Sequence, residues 1–181
     1  MINRIVGDKK RAWGLVWAWV MLIYSTLYIV RPICAFLEKT TPFNQLTTGM
    51  IFIAFAAVII YGIVWLHLRR PSTFVLLALI GVCYVYGVMV IPFPAEKIHF
   101  LQYGVLAFLC YRALRADFSR RKAYIFAILL TTVFGWIDEG IQHLLPNRYY
   151  ELRDVALNSI SGVLGLFLVF IFERERLKEN S

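Results

Sequence analysis

Six apolar runs, Trp13–Val30, Thr47–Leu66, Thr73–Ile91, Ile98–Ala113, Ala123–Leu145 and Val155–Phe172, are joined by short connections that hold most of the charge. A hydrocarbon core of roughly 30 Å is crossed by about 20 helical residues, and a helix satisfies its own backbone groups where no water can. Each run is therefore predicted to be a transmembrane helix. The expected fold is all-α, a polytopic bundle of about six spans within one membrane domain, residues 1–181. With 60% hydrophobic residues the chain is too apolar for a soluble domain, whose apolar share is nearer half.

The first run follows Lys9, Lys10 and Arg11 as the core of a signal peptide does, but it is long for one and no small-x-small cleavage site follows, so it reads as a retained helix. Cys34 stands behind Arg31-Pro32-Ile33, which is not a lipoprotein acceptor context. With six spans, fourteen of the 19 Lys and Arg residues collect on one side. The exceptions are Arg31, Lys39, Lys97, Arg148 and Arg153. By the positive-inside rule both termini are expected in the cytoplasm. The net charge of +8 then follows from topology, and no nucleic-acid partner is expected.

Pro71 is predicted to open the third helix, and Pro92-Phe93-Pro94 to turn the chain into the fourth. The longest outer connections are expected over Arg31–Leu46 and Pro146–Arg153. No paired broken helices repeat in two halves, which argues against a secondary transporter. Cys34, Cys83 and Cys110 are scattered, without a CxxC or zinc spacing.

Under this topology three segments deliver polar residues to one membrane level: Glu96, Lys97 and His99 at the start of the fourth helix; Asp138, Glu139, Gln142 and His143 at the end of the fifth; Asp154 and Asn158 opening the sixth. Arg148 lies in the connection between the last two. An acidic residue costs about 2.5–3.5 kcal/mol at mid-bilayer on insertion scales, so such groups mark binding, relay or catalytic sites. Residues three or four apart share a helix face, which aligns His99 with Tyr103, Glu139 with Gln142 and His143, and Asp154 with Asn158. Asn158, Ser161, Gly162 and Gly165 form a small-residue stripe that suits close helix packing.

The ordered series Lys97-x-His99-x3-Tyr103, Asp138-Glu139-x2-Gln142, Pro146-x-Arg148 and Asp154-x3-Asn158 followed by Gly165 resembles the VanZ-like family of bacterial membrane proteins. The resemblance covers about residues 95–172, and Tyr24-Ser25-Thr26 matches a weaker family feature. Family members usually carry Asp where this chain has Glu96, and Gly where it has Ser161, with Gly162 shifted by one. Helices over about residues 47–91 are an addition to the shorter family core. The family is named for a protein associated with resistance to the glycopeptide teicoplanin. The resemblance implies the cytoplasmic membrane of a bacterium, an envelope role and an outer-face site, without supplying an enzyme class.

The residues themselves support an outward-facing polar pocket for an anionic envelope lipid or a polyprenyl-linked cell-wall glycan. In that reading Arg148 grips a phosphate with two parallel bonds and Lys97 adds a point charge. His99 and Glu139 exchange protons with the ligand or orient it. Tyr103, Asp138, Gln142, Asp154 and Asn158 complete the binding surface. Three other readings stay open: an enzyme that hydrolyses or transfers a lipid-phosphate headgroup, a structural or accessory subunit of an envelope-polymer pathway, and a salt-bridge network in which Glu139 and Asp154 pair with Arg148, Arg153 or Lys97 to fix the helix ends. A metal held by His99, Glu139, His143 and Asp154 is chemically permitted, but no HExxH pattern is present, so neither a metal nor a cofactor is expected.

Overall fold

The computed structural model describes residues 2–145 and 150–179. They form the helices α1 (Ile2–Thr40), α2 (Phe43–Trp65), α3 (Pro71–Val90), α4 (Pro94–Leu114), α5 (Arg120–His143) and α6 (Leu152–Glu179). Pro71 occupies the first turn of α3, where its missing N–H is no loss, and Pro92-Phe93-Pro94 separates α3 from α4.

The expected connection over Arg31–Leu46 is instead mostly helix. α1 continues through Pro32 to Thr40, leaving only Thr41 and Pro42 before α2. Proline removes one intrahelical bond, but good helix formers such as Ala35, Leu37 and Glu38 follow it. The helix end is then closed by the Thr40 and Thr41 hydroxyls, which donate to the Phe36 and Leu37 carbonyls at 3.0 and 2.7 Å.

Five helices are long and apolar enough to cross a membrane: Asp8–Val30 within α1, Phe43–Trp65, Pro71–Val90, Arg120–His143 and Leu152–Glu175 within α6. The chain is a multi-pass membrane protein. α4, expected as a sixth span, forms a 21-residue helix but is not among the five. His99, Gln102, Tyr103 and Arg112 dilute its apolar character. Phe100, Tyr103, Leu106, Ala107, Cys110 and Tyr111 of α4 are all buried in protein, where a helix needs no apolar coat of its own.

The helices divide into two compact units. The first comprises Met1–Ile33 and His99–Leu166. Its polarity is inverted relative to a soluble bundle: α5 exposes Leu129, Val133, Trp136 and Ile137 and buries Thr131, Asp138, Glu139 and Gln142. That arrangement suits an apolar solvent, because each exposed methyl meets lipid while each carboxylate meets protein. Small residues set the helix spacing. A Cβ added at Gly165 of α6 would stand 2.7 Å from the Gly104 carbonyl oxygen of α4, and one at Gly135 of α5 would stand 3.0 Å from Asn158 Cβ. The predicted stripe Asn158, Ser161, Gly162 and Gly165 is buried.

The second unit comprises Cys34–Ile98 and Phe167–Ser181. α2 and α3 meet through Phe55 and Tyr84, whose ring centroids are 5.2 Å apart, and Gly81 packs under Phe55. The turn between them places His67 at φ 49°, with the Leu68 N–H donating back to the Gly62 carbonyl at 3.3 Å. The start of α3 is tied to the end of α6: the Thr73 hydroxyl donates to Glu175 Oε1 at 2.8 Å, and Arg70 Nε stands 3.6 Å from Glu175 Oε2.

Candidate functional site

The predicted polar residues of α4, α5 and α6 in the first unit assemble into one cluster. Its base is a buried strut. The Tyr103 hydroxyl donates to Asp138 Oδ2 at 2.6 Å, and Gln142 Nε2 donates to Asp138 Oδ1 at 3.2 Å. Both carboxylate oxygens of this fully buried residue are thus engaged, as a buried charge requires. Tyr24 of α1 closes the same region, its hydroxyl donating to the Phe134 carbonyl at 2.8 Å. Asp138 and Tyr103, expected at the binding surface, hold each other and fix α4 against α5.

Above the strut, His99 Nδ1 lies 2.7 Å from Asn158 Oδ1. A carboxamide oxygen only accepts, so Nδ1 carries the proton and donates. The His99 ring also sits 5.7 Å from the Tyr103 ring. Glu139 Oε1 accepts the backbone N–H of Glu151 at 3.0 Å, which ties the end of α5 to the segment that opens α6. Asp138, Asp154 and His99 are all near enough for their charges to act on Glu139. Asp154 is half-buried and pairs with its neighbour Arg153, Nε to Oδ1 at 3.5 Å.

Two buried polar atoms of this cluster, Glu139 Oε2 and Asn158 Nδ2, have no hydrogen-bond partner among the described residues, and a third, Asp154 Oδ1, has only the Arg153 guanidinium at 3.5 Å. Leaving one such group unsatisfied costs about 1–3 kcal/mol, and more when it is charged. They come from α5 and α6 and pair two acceptors with one donor. A hydroxyl matches that set, because it donates to a carboxylate oxygen and accepts from an amide N–H.

Other predicted residues lie elsewhere. Arg148 falls outside the described residues. Lys97 belongs to the second unit, where its ammonium donates to Asn44 Oδ1 at 2.6 Å and Thr48 Oγ1 at 3.3 Å. His143 is exposed and meets Tyr150 edge-on, with centroids 6.4 Å apart. Among the described residues no group of three His, Cys, Asp or Glu side chains is placed to hold a metal ion.

Sequence reasoning did not single out Asn44, Thr48 or the Glu151 amide. The first two carried a legible signal, since polar residues four apart share one face at the start of an otherwise apolar helix. A backbone donor carries none. Compared with protein-family models, curated proteins and solved structures, the chain matches none.

Proposed function

We propose that this chain is a VanZ-like protein of the bacterial cytoplasmic membrane that holds the polyhydroxylated headgroup of a lipid-linked cell-wall glycan against the His99–Glu139–Asp154–Asn158 cluster. α4 serves as the sixth span and both termini are cytoplasmic, which puts the cluster on the outer side. The observation that carries the reading is a set of buried atoms with spare bonding capacity: Glu139 Oε2 and Asn158 Nδ2, unbonded among the described residues, and Asp154 Oδ1, held only by Arg153 at 3.5 Å. Sugar hydroxyls satisfy all three, whereas a bare phosphate meets two carboxylates and one donor. The neutral or amphoteric part of the ligand therefore belongs here. Occupying a cell-wall precursor in this way would shield it from a glycopeptide antibiotic.

His99 and Glu139 orient the headgroup in this reading, and the same pair is placed to exchange protons with it. An enzyme acting on the headgroup is thus the second reading, favoured by Glu139 Oε2, unbonded among the described residues, in a carboxylate close enough for the His99 charge to act on it. The two separate cleanly: His99→Ala that abolishes turnover while the lipid still binds would establish catalysis.

The deciding experiment is native mass spectrometry of the full chain in mild detergent, wild type against Glu139→Gln at equal folded yield. Glutamine keeps an acceptor for the Glu151 amide and replaces the free acceptor with a donor. A hexosamine-bearing lipid retained by wild type and reduced at least tenfold in the variant is the expected result. No glycolipid on either folded protein would sink the reading and favour a purely structural network.

A further inference from the structure

In the second unit, Lys97 is 5% exposed. It is a buried cation whose hydrogen-bond partners, Asn44 Oδ1 and Thr48 Oγ1, are both neutral. No carboxylate among the described residues forms a salt bridge with it. Taking an ammonium out of water costs several kcal/mol, and two neutral dipoles do not cancel its charge. A positive charge kept in a membrane protein without an internal counter-ion invites an external one.

The surroundings are donor-rich. Lys97 has three N–H bonds and uses two of them on Asn44 and Thr48. Asn44 turns its oxygen toward the ammonium, which leaves its amide N–H groups pointing elsewhere, and they make no bond within the described residues. Thr47 spends its hydroxyl on the carbonyls of Phe43 and Asn44, both at 3.0 Å. Thr48 behaves differently. Its oxygen accepts from Lys97 and its proton makes no bond to its own helix. Asn44 is exposed and Thr48 half-buried, so the cluster is open on the α2 side. One buried positive charge therefore stands beside ammonium, amide and hydroxyl donors that are unspent among the described residues.

We infer that Lys97, Asn44 and Thr48 form a phosphate-binding site on the second unit. A phosphate offers three or more acceptor oxygens and at least one negative charge, which completes the unspent donors and neutralises Lys97 in one step. The site is built from other residues than the glycan cluster and stands whether or not that reading holds.

Binding to the full chain in detergent is measured with three probes: inorganic phosphate, decyl phosphate, and decanol as an equally tailed probe without phosphate or sugar. Decyl phosphate bound at least tenfold more tightly than decanol is the expected result. Comparable binding of inorganic phosphate assigns the site to free phosphate, and binding of the tailed probe alone assigns it to a lipid headgroup. Lys97→Met should weaken decyl phosphate at least tenfold. Asn44→Asp keeps the lysine and sets a carboxylate beside Nζ, so it should also remove binding tenfold or more while the protein stays folded. Phosphate binding that persists in folded Asn44→Asp, or wild type that does not distinguish decyl phosphate from decanol, would overturn the site.

Discussion

At the scale of single residues, burial sorts the carboxylates by role. Asp138 is as deeply buried as Glu139 but differs in partnership among the described residues, with both oxygens held by Tyr103 and Gln142 against one of two for Glu139. A fully engaged buried charge is a strut, and a half-engaged one is available to a ligand. Tyr103→Phe deletes only the hydroxyl and strands one oxygen of a buried charge, so it should cost about 1–3 kcal/mol. Thermal unfolding in detergent checks this, with a lowered midpoint expected. Asp138→Asn should cost less, because the amide it leaves is neutral.

At the scale of elements, glycines in neighbouring helices respond to alanine with opposite signs. Gly165 faces the Gly104 backbone at a separation that cannot admit a methyl, so Gly165→Ala should force α4 and α6 apart at a cost of about 1–3 kcal/mol. Gly140 in α5 has nothing within 4 Å of an added Cβ. Gly140→Ala should be neutral or stabilising by about 0.5–1 kcal/mol, since it removes only the flexibility of the unfolded chain. Denaturation of the two variants side by side tests the pair. The α2–α3 turn gives a second element-level test. His67 holds a left-handed backbone that branched residues tolerate poorly, and His67→Ile should cost roughly 1–2 kcal/mol in the same assay.

At the scale of the whole molecule, α4 depends on its neighbours for its place. Glu96, Lys97, His99 and Arg112 all lie on this helix, and its buried face includes Tyr103, Cys110 and Tyr111. Cut out and presented alone to an insertion assay, the α4 segment should insert poorly, while the α3 segment, which carries no charge, should insert fully. Thiol reactivity tests the packing of the intact chain. Cys83 is exposed on α3, whereas Cys34 and Cys110 are buried. An apolar maleimide that partitions into the detergent micelle should modify the Cys83 thiol first and the other two only on unfolding.

The sequence by itself determined the helices and much of their packing. Apolar runs of bilayer length have one stable backbone solution, so five spans and the positions of Pro71 and Pro92-Phe93-Pro94 were legible from composition and breakers alone. The i, i+3, i+4 alignment of Asn158, Ser161 and Gly165 announced a close-packed face. The span boundaries placed His99, Glu139 and Asp154 near the ends of three helices, where the structure has them. Tertiary structure alone decided which of those polar groups spend their hydrogen bonds on each other. Tyr103 meets Asp138 across 35 positions of chain, Lys97 meets Asn44 across 53, and Glu139 takes a backbone amide. The extent of α1 beyond Pro32 and the standing of α4 belong with them. Each depends on what surrounds a segment, and local pattern reports only what a segment contains.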